Sequence, residues 1–528
     1  MQPRTVVTEE PLKYILLIGA QINEAEGPGP QDNYMPSYVA SVLDGGGQPC
    51  SMAYDAGYIL TGHSYATGTT YRFRDCYVGR IPAYYERECK EALAKLVYYE
   101  KTPNTTSTDW YQRMFALTEF DWDAPNNPDH DKANFVPAAC TAYKTMCCPG
   151  FNSQPYNEDE TWGSSGFDTS NSPRLFIHLN GASYPPSGKH LNRVEQAWCD
   201  HAWAEQKDYY SFFDAVPTEL YPSCKTVDRG DVVNAINDGV GLFLYFDHGG
   251  ESEWQASHFS STRNIPPAPP GQPVLQPNNK TPFVLSTACL TGAMLSDRLG
   301  SKFLSAYEDG NEAKVGAMGF VGASIITDGS SMFSLPPYFL MSLFGYEIDP
   351  PQWNAMLGSD WPRKALTMRP AVALVYAKAR PGRINVQGDS SGLGRNLLEF
   401  NYLGDPELEL RTKAPRYLNV SCPTAIHLSS EDHISVTVAW NNSGQAGDPV
   451  GGARVALSEG DKGEGEREGE GEGECEGMHT LAVGITDETG QVSISVACLT
   501  PGDYQIVVTE QNAVPYITAS DAIEVSEN

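Results

Sequence analysis

The sequence lacks the features of several large classes of protein. It has no run of about 20 apolar residues, so no transmembrane helix is predicted. It has no cluster of basic residues, and its formal net charge is −30, from 36 basic and 66 acidic residues, which argues against binding to nucleic acid. Such acidity fits a soluble protein outside the cell or one that binds cations, although a solvated acidic surface is the simpler explanation.

Motifs that bind metals through His and Cys are also missing. The 12 cysteines include no CxxC pair, and the 10 histidines include no HxH or HExxH pair. A tetrahedral zinc site is therefore unsupported, and a metal-dependent hydrolase is a weak interpretation. Some cysteines are candidates for disulfides in an oxidising compartment, but the sequence does not determine their pairing. The residues of any metal site stay unknown.

The N-terminal residues do not resemble a secretory leader. The apolar run from Tyr14 to Ile18 is shorter than the 7–15 apolar residues of such a leader. Either the chain is cytosolic, or a leader and a pro-segment are absent from it. A strand that begins near Lys13 favours a trimmed mature form.

The first part of the chain alternates strand-like and helical segments. Residues 13–20 form a short apolar run that glycine interrupts, and residues 77–100 contain a turn followed by a helix with apolar residues at helical spacing. Further apolar runs are predicted to be strands at 241–246, 283–288 and 315–321, and helices are predicted at 192–206, 229–240, 298–309 and 363–379. This order predicts an α/β fold with a parallel sheet, whose ligands bind beyond the carboxyl ends of the strands.

Two later segments break this pattern. Residues 103–195 are rich in Asn, Pro, Asp and Gly, and we interpret them as a long surface insertion with a few short elements. After about residue 413, apolar and polar residues alternate in short runs that predict an antiparallel β-sandwich of about 100 residues. Inside it, the acidic low-complexity segment 461–477 is predicted to be a loop.

Three domains follow from this organisation. The predicted limits are 1–190 for an N-terminal α/β subdomain with the insertion, 191–412 for a catalytic α/β subdomain, and 413–528 for an all-β sandwich.

A histidine and a cysteine carry the chemistry in this pattern. His248 directly follows the run LFLYFD, and Cys289 directly follows the run FVLSTA, so each comes at the end of an apolar strand. If the strands are neighbours in a parallel sheet, both side chains emerge at one edge. An imidazole favours the thiolate form of a nearby cysteine and can give a proton to a leaving amine. Gly249 lets the backbone approach a substrate, so that its N–H and that of Cys289 are candidates for an oxyanion hole.

These residues lie in motifs that resemble the gingipain family of caspase-fold cysteine peptidases. The motifs are DHGGESEW (247–254), STACLTGAM (286–294), VGAMGFVGAS (315–324), YLGDPELEL (402–410) and VGRIPA (78–83) with its following helix. The resemblance covers residues 13–412 in islands. The His-Gly and Ala-Cys pairs alone are shared with caspases, legumains and clostripains.

The resemblance implies a Cys289–His248 dyad, an oxyanion hole from the amides of Gly249 and Cys289, and two α/β subdomains followed by an immunoglobulin-like domain. It also implies a secreted or cell-surface protease that acts on proteins or peptides, needs no cofactor for its chemistry and has calcium as a candidate structural ion. Asp328 and Ser324 are candidates for the substrate pocket, although a turn formed by Asp-Gly is the favoured explanation of Asp328. We do not transfer the basic specificity of gingipains, because the insertion replaces the stretch where its acidic residue belongs.

The alternative hypothesis is an adhesion or binding protein that keeps the caspase fold without activity. The intact Cys and His count against it, whereas the large segment 103–195 counts in its favour.

Overall fold

The computed structural model describes residues 14–19, 38–43, 49–54, 77–121, 174–180, 229–246, 248–255, 257–295, 297–310, 313–327, 335–336, 339–340, 342–343, 368–379, 399–428, 432–459, 480–497, 499–518 and 523–526. These residues belong to two compact units, one made of 1–96 and 109–412 and the other of 97–108 and 413–528. The predicted helix 192–206 and the acidic segment 461–477 lie outside the described residues.

Up to residue 412 the described chain contains twelve strands and five helices. The strands are β1 (Tyr14–Ile18), β2 (Tyr38–Leu43), β3 (Pro49–Tyr54), β4 (Tyr77–Ile81), β5 (Met114–Asp121), β6 (Arg174–Asn180), β7 (Leu242–Phe246), β8 (Glu253–Trp254), β9 (Phe259–Ser260), β10 (Phe283–Ser286), β11 (Gly319–Ala323) and β12 (Phe400–Leu403). The helices are α1 (Glu86–Lys101), α2 (Arg229–Asp238), α3 (Ser261–Asn264), α4 (Leu299–Ser305) and α5 (Pro370–Ala379), with a 3-10 turn at Asp109–Gln112.

Eight of these strands form one sheet in the order β1-β4-β12-β11-β10-β7-β5-β6. The predicted parallel sheet is confirmed for β7, β10 and β11, but β12 runs antiparallel to β11, so the sheet as a whole is not parallel. The strands β11, β10, β7, β5 and β6 are parallel to one another, and β1, β4 and β12 form a second parallel set. Strands from both predicted α/β subdomains share this sheet, so the fold is mixed α/β.

The middle of the sheet is its most buried part. Every residue of β7, β10, β11 and β12 is buried, as expected for continuous apolar runs with helices on the sheet faces. Trp254 is fully buried and stacks against Phe243 and Tyr245, with ring centroids 5.1 and 4.8 Å apart. This aromatic cluster fixes the chain that follows β7 onto the sheet.

Several predicted elements are confirmed, and others differ. The strand-like runs at 13–20, 241–246 and 283–288 contain β1, β7 and β10, and the helix at 229–240 contains α2. The interpretation of 103–195 as an insertion misses β5 and β6, which belong to the main sheet. The apolar face predicted for the helix in residues 77–100 includes Val97. In α1, however, Val97 is 54% exposed, whereas Lys95 is buried.

After residue 412, the described residues contain ten strands, which form two further sheets. They are β13 (Leu418–Ser421), β14 (Ala425–His427), β15 (His433–Asn442), β16 (Gln445–Pro449), β17 (Arg454–Glu459), β18 (Thr480–Ile485), β19 (Gln491–Ser495), β20 (Gly502–Thr509), β21 (Tyr516–Ile517) and β22 (Ile523–Ser526). One sheet contains β13, β15, β16 and β19, and the other contains β14, β22, β20, β17, β18 and β21. A cluster of buried apolar residues that includes Val436, Val455 and Ile506 draws on both sheets.

No helix among the described residues is both long and apolar enough to cross a bilayer.

Candidate active site

Two loops leave the same edge of the main sheet. We define the His248 loop as residues 248–255, which follow β7, and the Cys289 loop as residues 287–295, which follow β10. The two strands are parallel neighbours, and Ser286 is paired with Tyr245 at the end of the register. The Thr287 N–H also donates to the carbonyl of Tyr245 at 2.9 Å, so the two chains stay paired just beyond the end of β10.

The two loops touch at Gly249. A β-carbon on this residue would lie 2.8 Å from Ala288 Cβ, 2.8 Å from Thr291 Cγ2 and 3.2 Å from the carbonyl oxygen of Cys289. Real β-carbons do not approach other atoms at 2.8 Å, so only glycine allows this contact without displacement. The structure therefore brings the two predicted motifs together through their backbones.

Hydrogen bonds hold the backbone of the His248 loop. The carbonyl of His248 accepts from Tyr245 Oη at 2.8 Å and from the Gln255 N–H at 3.1 Å. The carbonyl of Glu251 accepts from the Leu299 N–H at 2.8 Å, and its carboxylate pairs with Arg298 at 2.9 Å. Glu251 therefore ties the loop to the start of α4.

The Cys289 loop is held against the end of β11. The Leu290 N–H donates to the carbonyl of Ile325 at 3.0 Å, and the Gly292 N–H donates to that of Ala323 at 2.8 Å. A β-carbon on Gly292 would lie 2.2 Å from the carbonyl carbon and oxygen of Gly322. The glycine three residues after the cysteine is thus needed for this close approach to β11.

Thr327 is the side chain that meets the sulfur. Its N–H donates to Cys289 Sγ at 3.4 Å, and its hydroxyl lies 3.5 Å from the same atom. Cys289 is a free, partly buried thiol. The sequence analysis missed Thr327, although it follows the third parallel strand just as His248 and Cys289 follow the first two. A search for polar residues after each of these strands would have found it.

Two backbone donors at the site have no acceptor. Within the part of the chain that the structure describes, neither the Gly249 N–H nor the Cys289 N–H donates a hydrogen bond. Gly249 is bridged to Trp254 as a pair whose hydrogen bonds belong to the flanking residues, namely Gly250 N–H to Glu253 and Gln255 N–H to His248. Both predicted oxyanion donors are therefore available to an acceptor.

The structure gives less information on Ser324 and Asp328, the two residues predicted for the substrate pocket. The Ser324 hydroxyl donates to the carbonyl of Glu399 at 3.2 Å, and the Ser324 N–H donates to the same oxygen at 2.8 Å. Asp328 and Asp247 lie outside the described residues. Among the described residues, no group of three or more His, Cys, Asp or Glu side chains is arranged to hold a metal ion.

The sequence matches a known family of peptidases. The family model described as peptidase family C25 matches residues 3–411, more than half of the chain. The chain belongs to peptidase family C25.

Sequence relatives of this C25 member are distant. It is 24% identical to gingipain R1 of Porphyromonas gingivalis over 221 residues, which is 40% of this chain and 19% of that protein. It is 24% identical to gingipain R2 of the same species over 237 residues, which is 43% of this chain and 27% of that protein. The matched part is thus less than a third of the length of either relative.

Solved structures show the same fold. The crystal structure of the Arg-specific cysteine proteinase gingipain R covers 98% of this chain and 84% of that chain, with a TM-score of 0.58 and 14% identity. A complex of the pro- and mature domains of RgpB of P. gingivalis covers 99% of this chain and 87% of that chain, with a TM-score of 0.57 and 15% identity. At these identities the likeness concerns the fold alone.

Proposed function

We propose that this C25 member is a cysteine endopeptidase in which Cys289 is the nucleophile and His248 the general acid and base. The close approach of Gly249 to Ala288 Cβ and to the carbonyl oxygen of Cys289 is the observation that carries the proposal. It joins the histidine loop to the cysteine loop beside two backbone N–H groups that have no acceptor among the described residues. A peptide carbonyl at this position would lie within reach of a thiolate and of oxyanion donors.

The proposed reaction proceeds through a thioester. Cys289 Sγ attacks the carbonyl carbon of the substrate, and the oxygen takes up the negative charge facing the N–H groups of Gly249 and Cys289. His248 gives a proton to the amine as the C–N bond breaks, which leaves the acyl group on sulfur. His248 then removes a proton from water, which attacks the thioester and releases the acid and the thiol.

Thr327 supports the first of these steps. Its N–H and hydroxyl meet Sγ from the β11 side. A hydrogen bond from a backbone N–H to sulfur stabilises the thiolate more than the thiol, because hydrogen bonds to charged acceptors are about twice as strong as those to neutral acceptors. Thr327 thus stabilises the attacking form of Cys289.

The residue before the cleaved bond is left open. Gingipain R is specific for Arg, but this specificity is not transferred here, because the Ser324 hydroxyl is already bonded to the Glu399 carbonyl and the pocket candidate Asp328 lies outside the described residues. Cleavage of a peptide library by the whole chain, with mass spectrometry of the products, tests the function. We expect cuts within peptides after one dominant type of side chain, and none with Cys289→Ala. Intact peptides with the wild-type protein, or equal cleavage by Cys289→Ala, would contradict the proposal.

We also propose an extracellular or cell-surface location, a C-terminal immunoglobulin-like domain and a structural calcium ion, as the family resemblance implies. The described residues contain no cluster of acidic side chains for calcium, and the mechanism has no step through it. A rise in the melting temperature with CaCl2, but not with NaCl of equal ionic strength, is expected if calcium binds. Detection of the protein only in the cytosol of its own organism would exclude the proposed location.

A further inference from the structure

A chain of buried hydrogen bonds runs behind the Cys289 loop. Trp254 Nε1 lies 3.0 Å from Ser286 Oγ, Ser286 Oγ lies 3.0 Å from Thr291 Oγ1, and Thr291 Oγ1 lies 3.1 Å from the carbonyl oxygen of Ala288. All four residues are fully buried. Since no water competes there, each bond is stronger than it would be at the surface.

The direction of donation in this series of hydrogen bonds is fixed. The indole N–H can only donate, and the carbonyl of Ala288 can only accept. The Thr291 hydroxyl has one proton, which it gives to Ala288, so it must accept from Ser286. The order of donation is therefore Trp254 to Ser286 to Thr291 to Ala288, and each hydroxyl both accepts and donates.

The last bond of the chain acts on a group of the candidate oxyanion hole. The carbonyl of Ala288 and the N–H of Cys289 belong to the same planar peptide group, in which they point in opposite directions. A hydroxyl that holds the carbonyl on the buried side turns the N–H to the other side. Donation to a carbonyl also polarises the peptide, which makes its N–H a stronger donor.

The other side of Thr291 meets the second donor. A β-carbon on Gly249 would lie 2.8 Å from Thr291 Cγ2, so the threonine methyl packs directly behind the Gly249 backbone. Gly249 is also the bridge partner of Trp254, where the chain of hydrogen bonds begins. One side chain thus contacts the backbone of both predicted donors.

We propose that Thr291 is a positioning residue of the oxyanion hole: its hydroxyl, supported by Ser286 and Trp254, fixes the direction of the Cys289 N–H, while its methyl group supports Gly249. This inference rests on the proposed peptidase function and adds to it a residue that does not touch the substrate.

Two variants separate the hydroxyl from the methyl group. Thr291→Val keeps the shape and removes the hydroxyl, and Thr291→Ser keeps the hydroxyl and removes the methyl group. With fluorescein-labelled casein we expect kcat to fall about 30- to 100-fold in Thr291→Val with little change in KM, since loss of one oxyanion donor costs about 100- to 1,000-fold. Thr291→Ser should lose less than about tenfold, and Ser286→Ala should fall between wild type and Thr291→Val because only the supporting bond is lost.

Alkylation of Cys289 by iodoacetamide distinguishes positioning from general damage, because that reaction forms no oxyanion. Its rate should change less than about threefold in Thr291→Val. Thr281→Val, which alters a buried threonine before β10, is the matched control and should keep full activity. Wild-type kcat in Thr291→Val, equal losses in the valine and serine variants, or a parallel loss of alkylation would each overturn the inference. If wild-type protein shows no hydrolysis that depends on Cys289, the proposed function fails as well.

Discussion

Gly249 lies where the His248 loop meets the Cys289 loop, with no space for a side chain. Its neighbour Gly250 has no atom of the described residues within 4 Å of the position that a β-carbon would take. These adjacent glycines therefore form a natural pair of test sites. The first glycine is needed for contact between the loops, and the second tolerates a side chain.

Gly249→Ala should separate the loops and abolish most of the activity. The added methyl group would lie 2.8 Å from Ala288 Cβ and Thr291 Cγ2, which forces the backbones apart. We expect kcat to fall by about 100-fold or more and the free energy of unfolding to fall by about 1–3 kcal/mol. Gly250→Ala should change neither quantity appreciably. Steady-state kinetics and urea unfolding measure both, and equal effects of the two substitutions would contradict this prediction.

Lys95 is a buried base outside the candidate site. Its ammonium donates to the carbonyls of Phe303, Ala306 and Val315 at 3.2, 3.1 and 2.9 Å. Burial nevertheless lowers the pKa of Lys95 from 10.5 to about 7. Lys95 thereby connects α1 to the segment that joins α4 to β11.

The stability of the protein should therefore depend on pH through Lys95. Between pH 7 and about 10 the unfolded chain binds more protons at this lysine than the folded chain, so stability rises with pH. Urea unfolding of wild type and Lys95→Met at pH 6.5, 8 and 9.5 tests this. The stability of wild type relative to the variant should increase with pH, and a constant difference would show that Lys95 does not titrate in this range.

At the scale of elements, β4 and β12 are parallel neighbours within one of the two sets of strands, and β12 connects this set to β11. A β-carbon on Gly79 in β4 would lie 2.2 Å from the carbonyl oxygen of Gly404, which follows β12. Gly404 has φ +135 and donates its N–H to the carbonyl of Arg80 at 2.7 Å. Both glycines come from motifs quoted in the sequence analysis, and their contact explains why each motif needs one.

Gly79→Ala should weaken this junction of the sheet. We expect a loss of about 1–3 kcal/mol in the free energy of unfolding, because overpacking forces backbone shifts. Hydrogen exchange should accelerate in residues 400–403 more than in β7 and β10. Exchange that increases evenly over the whole sheet, or not at all, would show that the junction has no special role.

The sequence predicted elements whose pattern is local and missed those that depend on partners. A continuous apolar run such as LFLYF predicts β7, because a strand that is buried on both faces has no polar positions. Apolar residues at helical spacing predict α2. Strand β5, with the acidic residues Glu119 and Asp121 in a polar region, is not evident until it pairs with β7. The antiparallel direction of β12 likewise depends on how the whole sheet is assembled, and no short segment of the sequence predicts it.

The same distinction holds for the site. The sequence predicted His248, Cys289 and Gly249 as site residues because they follow strand ends and glycines accompany them. It did not predict Thr327 or Thr291, because the hydrogen bonds of Thr327 to Cys289 and of Thr291 to Ser286 and Ala288 are evident only in the folded chain.

At the scale of the whole molecule, net charge is the dominant electrostatic feature. A formal charge of −30 produces repulsion between like charges, and this repulsion is stronger in the folded chain than in the unfolded chain because the charges lie closer together. Added salt shortens the range of this repulsion from about 30 Å at 0.01 M to about 8 Å at 0.15 M. The melting temperature should therefore rise by several degrees between 10 and 150 mM NaCl, and equally with choline chloride. An unchanged or lower melting temperature would show that the negative charges are already compensated within the fold.

The central claim is that one sulfur, activated beside His248, attacks a peptide carbonyl. Labelling with a biotinylated peptidyl acyloxymethyl ketone, followed by mass spectrometry of the modified peptide, tests it most directly. We predict a label on Cys289 in the wild-type protein, a rate at least about 100-fold lower in His248→Ala, and none in Cys289→Ala. Folded wild-type protein that takes up no label with or without calcium, or that is labelled at another cysteine, would contradict the account and favour a binding protein.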